Sequence, residues 1–188
     1  METTAIKNNS NGLENGRWGL REYFDALTAM VKRPGQFFGN IPANPGYRRS
    51  IAYLLLSSLF FAGASLAAIR DRQLEITAIL WVNAVGMPVI SAVLCYIAVT
   101  LYTRKRQSFA LVFAVFAYAS GTTMLASWIP LLLWATEVWK WYLVGLGLVK
   151  VFELKRRVAL LMLGIVMASL FLFFYSIFPI VSAVKGYL

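Results

Sequence analysis

Long apolar runs fill the chain after residue 49, and the charged residues between them divide this region into predicted membrane-spanning helices. A span needs about 20 apolar residues, because the hydrocarbon core of a bilayer is about 30 Å thick. The first two predicted spans cover residues 50–69 and 76–102. The second is longer than one crossing requires, and Gly86 and Pro88 favour a kink inside it.

The apolar region from residue 108 to residue 153 is too long for one span and predicts two, over residues 109–133 and 138–152. We expect the turn that joins them between Pro130 and Lys140. Tryptophan and tyrosine prefer the headgroup layer of a membrane. Five such residues mark this turn as an interface: Trp128, Trp134, Trp139, Trp141 and Tyr142. A fifth span is predicted over residues 158–181.

The segment ahead of the first span predicts an amphipathic helix. From Trp18 onward, apolar residues recur with helical spacing and polar residues occupy the opposite side. Pro34 should end this helix near Lys32, because proline cannot continue a helix interior. We expect the helix to lie in the cytoplasmic interface, with Phe37 and Phe38 anchoring the following turn in lipid or on the spans.

The predicted interface or partner-binding residues of this segment are Phe24, Leu27, Pro34, Phe37 and Phe38. Three arrangements are open at this point. The helix packs on the cytoplasmic ends of the spans, or anchors in the interface without a partner, or docks a cytoplasmic protein.

Composition supports a membrane protein. Of the 188 residues, 60% are hydrophobic and 14% are charged, against roughly 45–50% and about 25% in soluble domains. The fold class expected is an all-α integral membrane protein with five transmembrane helices and a preceding interfacial helix. Its parts are a disordered polar tail over residues 1–17, the interfacial helix and hinge over residues 18–49, and the membrane domain over residues 50–188. We expect no cleaved signal peptide, because the first residues are polar.

Basic residues predict the orientation. With five spans and a cytoplasmic N-terminus, 14 of the 18 lysines and arginines fall on the cytoplasmic side. The C-terminus is then outside, and we expect the bacterial inner membrane. A four-span alternative, with residues 128–142 as a buried re-entrant loop, would place the last basic cluster outside. The insertion rule explains the net charge of +10, so no nucleic acid partner is expected.

Candidate chemistry is sparse. The chain has one cysteine, Cys95, and no histidine, so neither a metal nor a cofactor is expected. Its serines and threonines have no histidine to activate them, so we do not expect an enzyme. The neutral polar residues Asn83, Thr122 and Thr123 either form hydrogen bonds between helices or line a pathway for a polar substrate.

Small residues four positions apart predict close helix packing. The pairs are Gly63 with Ala67 and Ala117 with Gly121, and they join either spans of one chain or the subunits of a homo-oligomer. The stretch "GLGL" at residues 145–148 follows no strand and carries no phosphate-loop lysine, so we interpret it as helix packing as well.

The order of several weak motifs resembles the Yip domain family, the Ypt-interacting proteins and their bacterial relatives. These motifs are the proline and paired phenylalanines of "RPGQFFGNI", Ala117–Tyr118 in the third span, "WKWYLVGLGLVKVFEL" over residues 139–154 and the basic entry "KRRVALLML" to the fifth span. The resemblance covers about residues 18–184. Where the family often has a proline after the alanine–tyrosine element, this chain reads Ser120-Gly121-Thr122-Thr123.

The resemblance implies a membrane scaffold rather than a catalyst. Eukaryotic members are linked to Rab-type GTPases, vesicle traffic and membrane shaping, and the short tail and compact spans here look more like a bacterial member. The function expected is a non-enzymatic scaffold or partner-binding module that shapes the bilayer, with membrane lipids and a membrane or cytoplasmic protein as partners. The alternative is a small transporter, channel or lipid scramblase whose pathway the neutral polar residues line.

Overall fold

The structure, a computed structural model, describes residues 19–43, 45–68, 74–104 and 107–185. Side chains are described for these residues except 68, 74, 173, 174 and 176–185. The tail predicted to be disordered over residues 1–17 lies outside the described residues. So do Arg70, Arg72, Lys105 and Arg106, which contributed to the predicted orientation.

Every regular element in the described residues is a helix, which confirms the all-α prediction. The α-helices are α1 Leu20–Lys32, α2 Pro34–Gly39, α3 Tyr47–Ala68, α4 Leu74–Thr103, α5 Phe109–Ser127, α6 Leu133–Val151 and α7 Arg156–Lys185, with a 3₁₀ turn over Pro130–Leu132. Three described helices are long and apolar enough to cross a membrane, over Tyr47–Ala67, Glu75–Thr103 and Phe109–Ser127. They correspond to the first three predicted spans.

The turn predicted between Pro130 and Lys140 lies at the start of that stretch, over Pro130–Leu132. Helix α5 already ends at Ser127, and α6 begins at Leu133, so Lys140 lies on a helix. The 3₁₀ turn that Pro130 starts reverses the chain within a few residues, and Ser127 Oγ lies 3.0 Å from Thr136 Oγ1 across it. Glu137 and Lys140 form an ion pair on α6, with 2.6 Å between Nζ and Oε1.

Helix α5 occupies the centre of the bundle. It packs against α3, α4 and α6, and residues 110–123 are buried except for the partly exposed Tyr118. Around it, α3 packs on α4, α4 on α7 and α7 on α6. Helices α3 and α6 make almost no contact with each other. One side of α5 is therefore open to the N-terminal helices, and α1 packs on α5 while α2 packs on α6.

Local sequence explains the limits of the two N-terminal helices. The Gly19 N–H donates to Glu22 Oε2 at 3.2 Å, so α1 starts with an acidic side chain in its first turn, where the helix dipole favours it. Helix α1 ends at Lys32, as Pro34 predicted. Pro34 then opens α2, because the first helical position needs no backbone N–H donor.

Candidate functional site

Helix α2 fits into the gap between α5 and α6 through its paired phenylalanines. Phe38 is 1% exposed, and the Phe37 ring meets Tyr118 edge-on at a centroid distance of 4.9 Å. Gly147 makes room for this contact on α6. A Cβ atom there would lie 2.5 Å from Val115 Cγ1 and 3.3 Å from Phe38 Cε1. The phenylalanine pair is thus anchored on the bundle, which is one of the two placements expected from the sequence.

A row of aromatic rings joins α1 and α2 to the bundle. Tyr23 on α1 lies 4.9 Å from Tyr53 on α3, and Tyr53 lies 4.9 Å from Tyr118 on α5, measured between ring centroids. Phe37 continues the row from Tyr118. Aromatic pairs at this separation contribute roughly 0.5–1.5 kcal/mol each beyond their burial. The row therefore couples the two N-terminal helices to α3 and α5, which are far from them along the chain.

The tyrosine hydroxyl groups of this aromatic row form hydrogen bonds with serine and threonine hydroxyl groups beside it. The hydroxyl oxygens of Tyr23 and Ser57 are 2.9 Å apart, and so are those of Tyr53 and Thr122. Because Thr122 donates its proton to the Tyr118 carbonyl at 2.8 Å, the Tyr53 hydroxyl donates to Thr122. Burial raises the pKa of Tyr23 above its ordinary value, and the hydrogen bond to Ser57 opposes that rise.

Gly121 allows the Tyr53 ring to lie directly on α5. A Cβ atom at Gly121 would come within 2.7 Å of Tyr53 Cε1 and 3.0 Å of Ser57 Oγ. No side chain larger than hydrogen fits unless the ring moves. The sequence Ser120-Gly121-Thr122-Thr123 therefore lies in a continuous helix and serves the contact with α3.

The contacts of the N-terminal helices reach the middle of α5, at Tyr118, rather than its end.

Helix α1 has three sides that differ in exposure and polarity. Tyr23 and Met30 are 4% and 0% exposed against the bundle, and Leu27 is partly buried. A second side exposes the apolar Leu20, Phe24 and Val31, and a third exposes the polar Arg21, Asp25, Thr28 and Lys32.

The structure brings together some of the residues singled out in the sequence. Phe37, Phe38, Ala117, Gly121 and Thr122 all lie where the N-terminal helices, α3 and α5 meet, and Pro34 opens α2 beside them. Phe24 points away from the bundle.

The other small-residue pair behaves differently. Gly63 and Ala67 are exposed, and no atom lies within 4 Å of a Cβ placed at Gly63. Among the described residues no other helix lies against Gly63. Contact of this pair with a second subunit stays a prediction. The interpretation of "GLGL" as helix packing is confirmed by Gly147 and by Gly145, whose Cβ would lie 3.0 Å from Leu163 Cδ1.

The neutral polar residues proposed for a pathway are not brought together. Asn83 is exposed on α4 in a shallow depression with Ala78, Ile79 and Val82. Thr122 and Thr123 are buried on α5, and both hydroxyls bond to backbone carbonyls of their own helix. Thr122 follows the interpretation of a hydrogen bond between helices, because it also contacts the Tyr53 hydroxyl on α3. The bonds of Thr123 stay within α5.

Sequence reasoning did not single out three residues that make central contacts in this site: Tyr53, Ser57 and Gly147. Tyr53 lies in an apolar run whose periodicity gives no preferred side, so nothing distinguishes its buried face from the lipid-facing one. Only the position of α5 identifies it. Tyr23 is easier to find, because it belongs to the apolar stripe of α1.

Comparison with known proteins identifies the family of this chain. A comparison with curated proteins and one with solved structures found no match. The family model of the Yip1 domain matches residues 28–177, which include α2, the whole of α3 to α6 and the last part of α1. The match confirms the resemblance inferred from the motifs. With three helices long and apolar enough to cross a bilayer, the chain is an integral membrane protein that belongs to the Yip1 domain family.

Proposed function

We propose that this protein is a non-enzymatic membrane scaffold whose helix α1 shapes the bilayer on one side and binds a protein partner on another. The three-sided exposure of α1 carries the proposal. Its buried side fixes the helix to the bundle, its exposed apolar side requires a partner other than water, and its polar side suits the cytoplasm.

The exposed apolar residues form one narrow strip. Leu20, Phe24 and Val31 are 66%, 57% and 56% exposed, and their spacing places them within about 40° around the helix axis. Arg21 and Lys32 lie beside the strip on the polar side. Such a helix enters one leaflet only, with its apolar side among acyl chains and its basic side chains near anionic headgroups. Material added to one leaflet favours curvature.

The topology proposed with this function has five spans, with α6 and α7 crossing the membrane in addition to α3, α4 and α5. The basic residues support a cytoplasmic N-terminus and an outside C-terminus. The resemblance to bacterial members supports an inner membrane location. Single cysteines at Gln73 and Gln107, in a Cys95→Ser background, should be labelled from opposite sides of the membrane. Labelling from the same side would exclude five spans.

Site-specific photocrosslinking from α1 tests the scaffold proposal. A photoreactive residue at Phe24 in native membranes should give lipid adducts, and one at Thr28, on the polar side, should give adducts with a second protein. The same probe at Tyr23 is the matched control and should crosslink only within the chain, because Tyr23 is buried.

Each part of the proposal can fail separately. Absence of lipid adducts at Phe24 would remove the bilayer-shaping role, and absence of protein adducts at Thr28 would remove the partner-binding role. Adducts with other molecules at Tyr23 would mean that α1 does not stay on the bundle.

A further inference from the structure

A second apolar feature lies on the opposite flank of α3, away from α1. It is a groove of about 330 Å³ between α3, α4 and α5, within the range of about 300–1,000 Å³ typical of small-molecule sites. Its lining is apolar apart from Tyr47 at one end and includes Ile51, Leu55, Val85, Val89 and Phe113. All three helices are long and apolar enough to cross a membrane.

The groove is open to the surroundings of the bundle. Ile51 and Leu55 line it and are 41% and 39% exposed. A groove on this surface faces hydrocarbon, and an acyl chain is the molecule that fills an apolar space there at no desolvation cost.

One end of the groove is basic. Arg48 is exposed on α3, three residues before Ile51 and seven before Leu55, so it lies on the flank of the groove on the same side of the helix. Arg104 follows the end of α4. It belongs to the same end of the bundle, because Phe109, five residues later, lies 6.3 Å from the Tyr47 ring.

The three helices that line the groove carry no acidic side chain at this end. No aspartate or glutamate occurs between Asp25 and Asp71 or between Glu75 and Glu137, and Glu75 begins α4 at its other end. Arg48 has no ion pair in the part of the chain that the structure describes. An anion from outside the protein is therefore the natural partner of this arginine.

We propose that the groove is a binding site for an anionic phospholipid. One acyl chain occupies the groove along Ile51, Leu55 and Val89, and Arg48 binds the phosphate, with Arg104 adding positive charge. The site needs the chain to be embedded in a membrane, but it is independent of the scaffold role proposed for α1.

Titration of the purified protein with phosphatidylglycerol and phosphatidylcholine of identical acyl chains, followed by native mass spectrometry, tests the site. The parent protein should bind one phosphatidylglycerol about fivefold more tightly than phosphatidylcholine, as expected for one arginine near an anionic lipid. Arg48→Gln should remove most of that preference, because only the more distant charge of Arg104 stays at this end. Val85→Trp, which fills the groove, should abolish the site for both lipids.

Two control variants separate the site from general effects. Lys155→Gln removes an exposed charge at the start of α7, and Val82→Trp adds the same ring to α4 outside the groove. Both should bind like the parent. Equal affinity of the parent for the two lipids, loss of preference in Lys155→Gln equal to that in Arg48→Gln, or unchanged binding by Val85→Trp would each overturn the proposal.

Discussion

Helices α3 and α5 look alike as sequences and differ in their surroundings. Both are apolar, both are long enough to span a membrane, and both contain a pair of small residues four positions apart. Ala117 and Gly121 on α5 are buried, and the Tyr53 ring lies on Gly121. Gly63 and Ala67 on α3 are exposed. A small-residue pair permits close approach of another helix, and the arrangement of the neighbours decides whether one is there.

The difference follows from the place of each helix in the bundle. Helix α5 is surrounded by α3, α4 and α6, and the N-terminal helices cover its remaining side. Helix α3 stands at the edge, and its outer side exposes Leu59 and Phe60. Four predictions test this comparison, and thermal unfolding of the protein in detergent measures the stability of each variant.

The largest loss of stability is expected when α2 loses the phenylalanine that packs it against the bundle. Phe38→Ala should lower the free energy of unfolding by about 3–5 kcal/mol, because it leaves a cavity at a fully buried site. Amide exchange over residues 20–39 should also become faster, since α2 loses its anchor. The matched control is Leu59→Ala on the exposed side of α3, which should stay within about 0.5 kcal/mol of the parent. Equal effects of the two variants would contradict the central position of α5.

A smaller effect is expected at the two small-residue pairs. Gly121→Leu should destabilise by about 1–3 kcal/mol, because its side chain collides with Tyr53 and Ser57. Gly63→Leu should cause no loss of stability, because nothing lies within 4 Å of its Cβ position. Destabilisation by Gly63→Leu, with a change in oligomeric state, would instead show that this pair packs on a second subunit.

A gain in stability is expected from the smallest substitution at Gly63, the exposed glycine of α3. Gly63→Ala should stabilise the protein by roughly 0.5–1 kcal/mol, because alanine favours helix and meets no neighbour here. Gly121→Ala serves as its counterpart and should lower the melting temperature, since even a methyl group meets Tyr53. If both variants were stabilised, the close contact between α3 and α5 would be wrong.

The smallest effect is expected from the hydrogen bond that joins α3 to α5. Tyr53→Phe should cost on the order of 0.6 kcal/mol, the average for a hydrogen bond between membrane helices. Thr122 keeps its own bond to the Tyr118 carbonyl, so no buried polar group loses every partner. Tyr175→Phe, on the exposed side of α7, is the control and should have no effect. A cost well above 1 kcal/mol would indicate that the hydroxyl has a further role.

The sequence alone determined which segments are helices and where several of them end. Apolar runs and the breaks between them located α3, α4 and α5, because a helix in hydrocarbon must satisfy its own backbone groups along its whole length. Pro34 marked the end of α1, because proline has no N–H to donate. Pro130 marked the turn before α6, but the predicted turn extended too far, because Glu137 and Lys140 lie on α6 itself.

The tertiary structure alone decided which side of each helix faces the bundle. In a soluble protein polar residues mark the outer side, but in a membrane both sides are apolar, so periodicity carries little information about packing. Ala117 with Gly121 and Gly63 with Ala67 were therefore equivalent in the sequence. The central position of α5 separated them. That position depends on contacts between segments that are far apart along the chain.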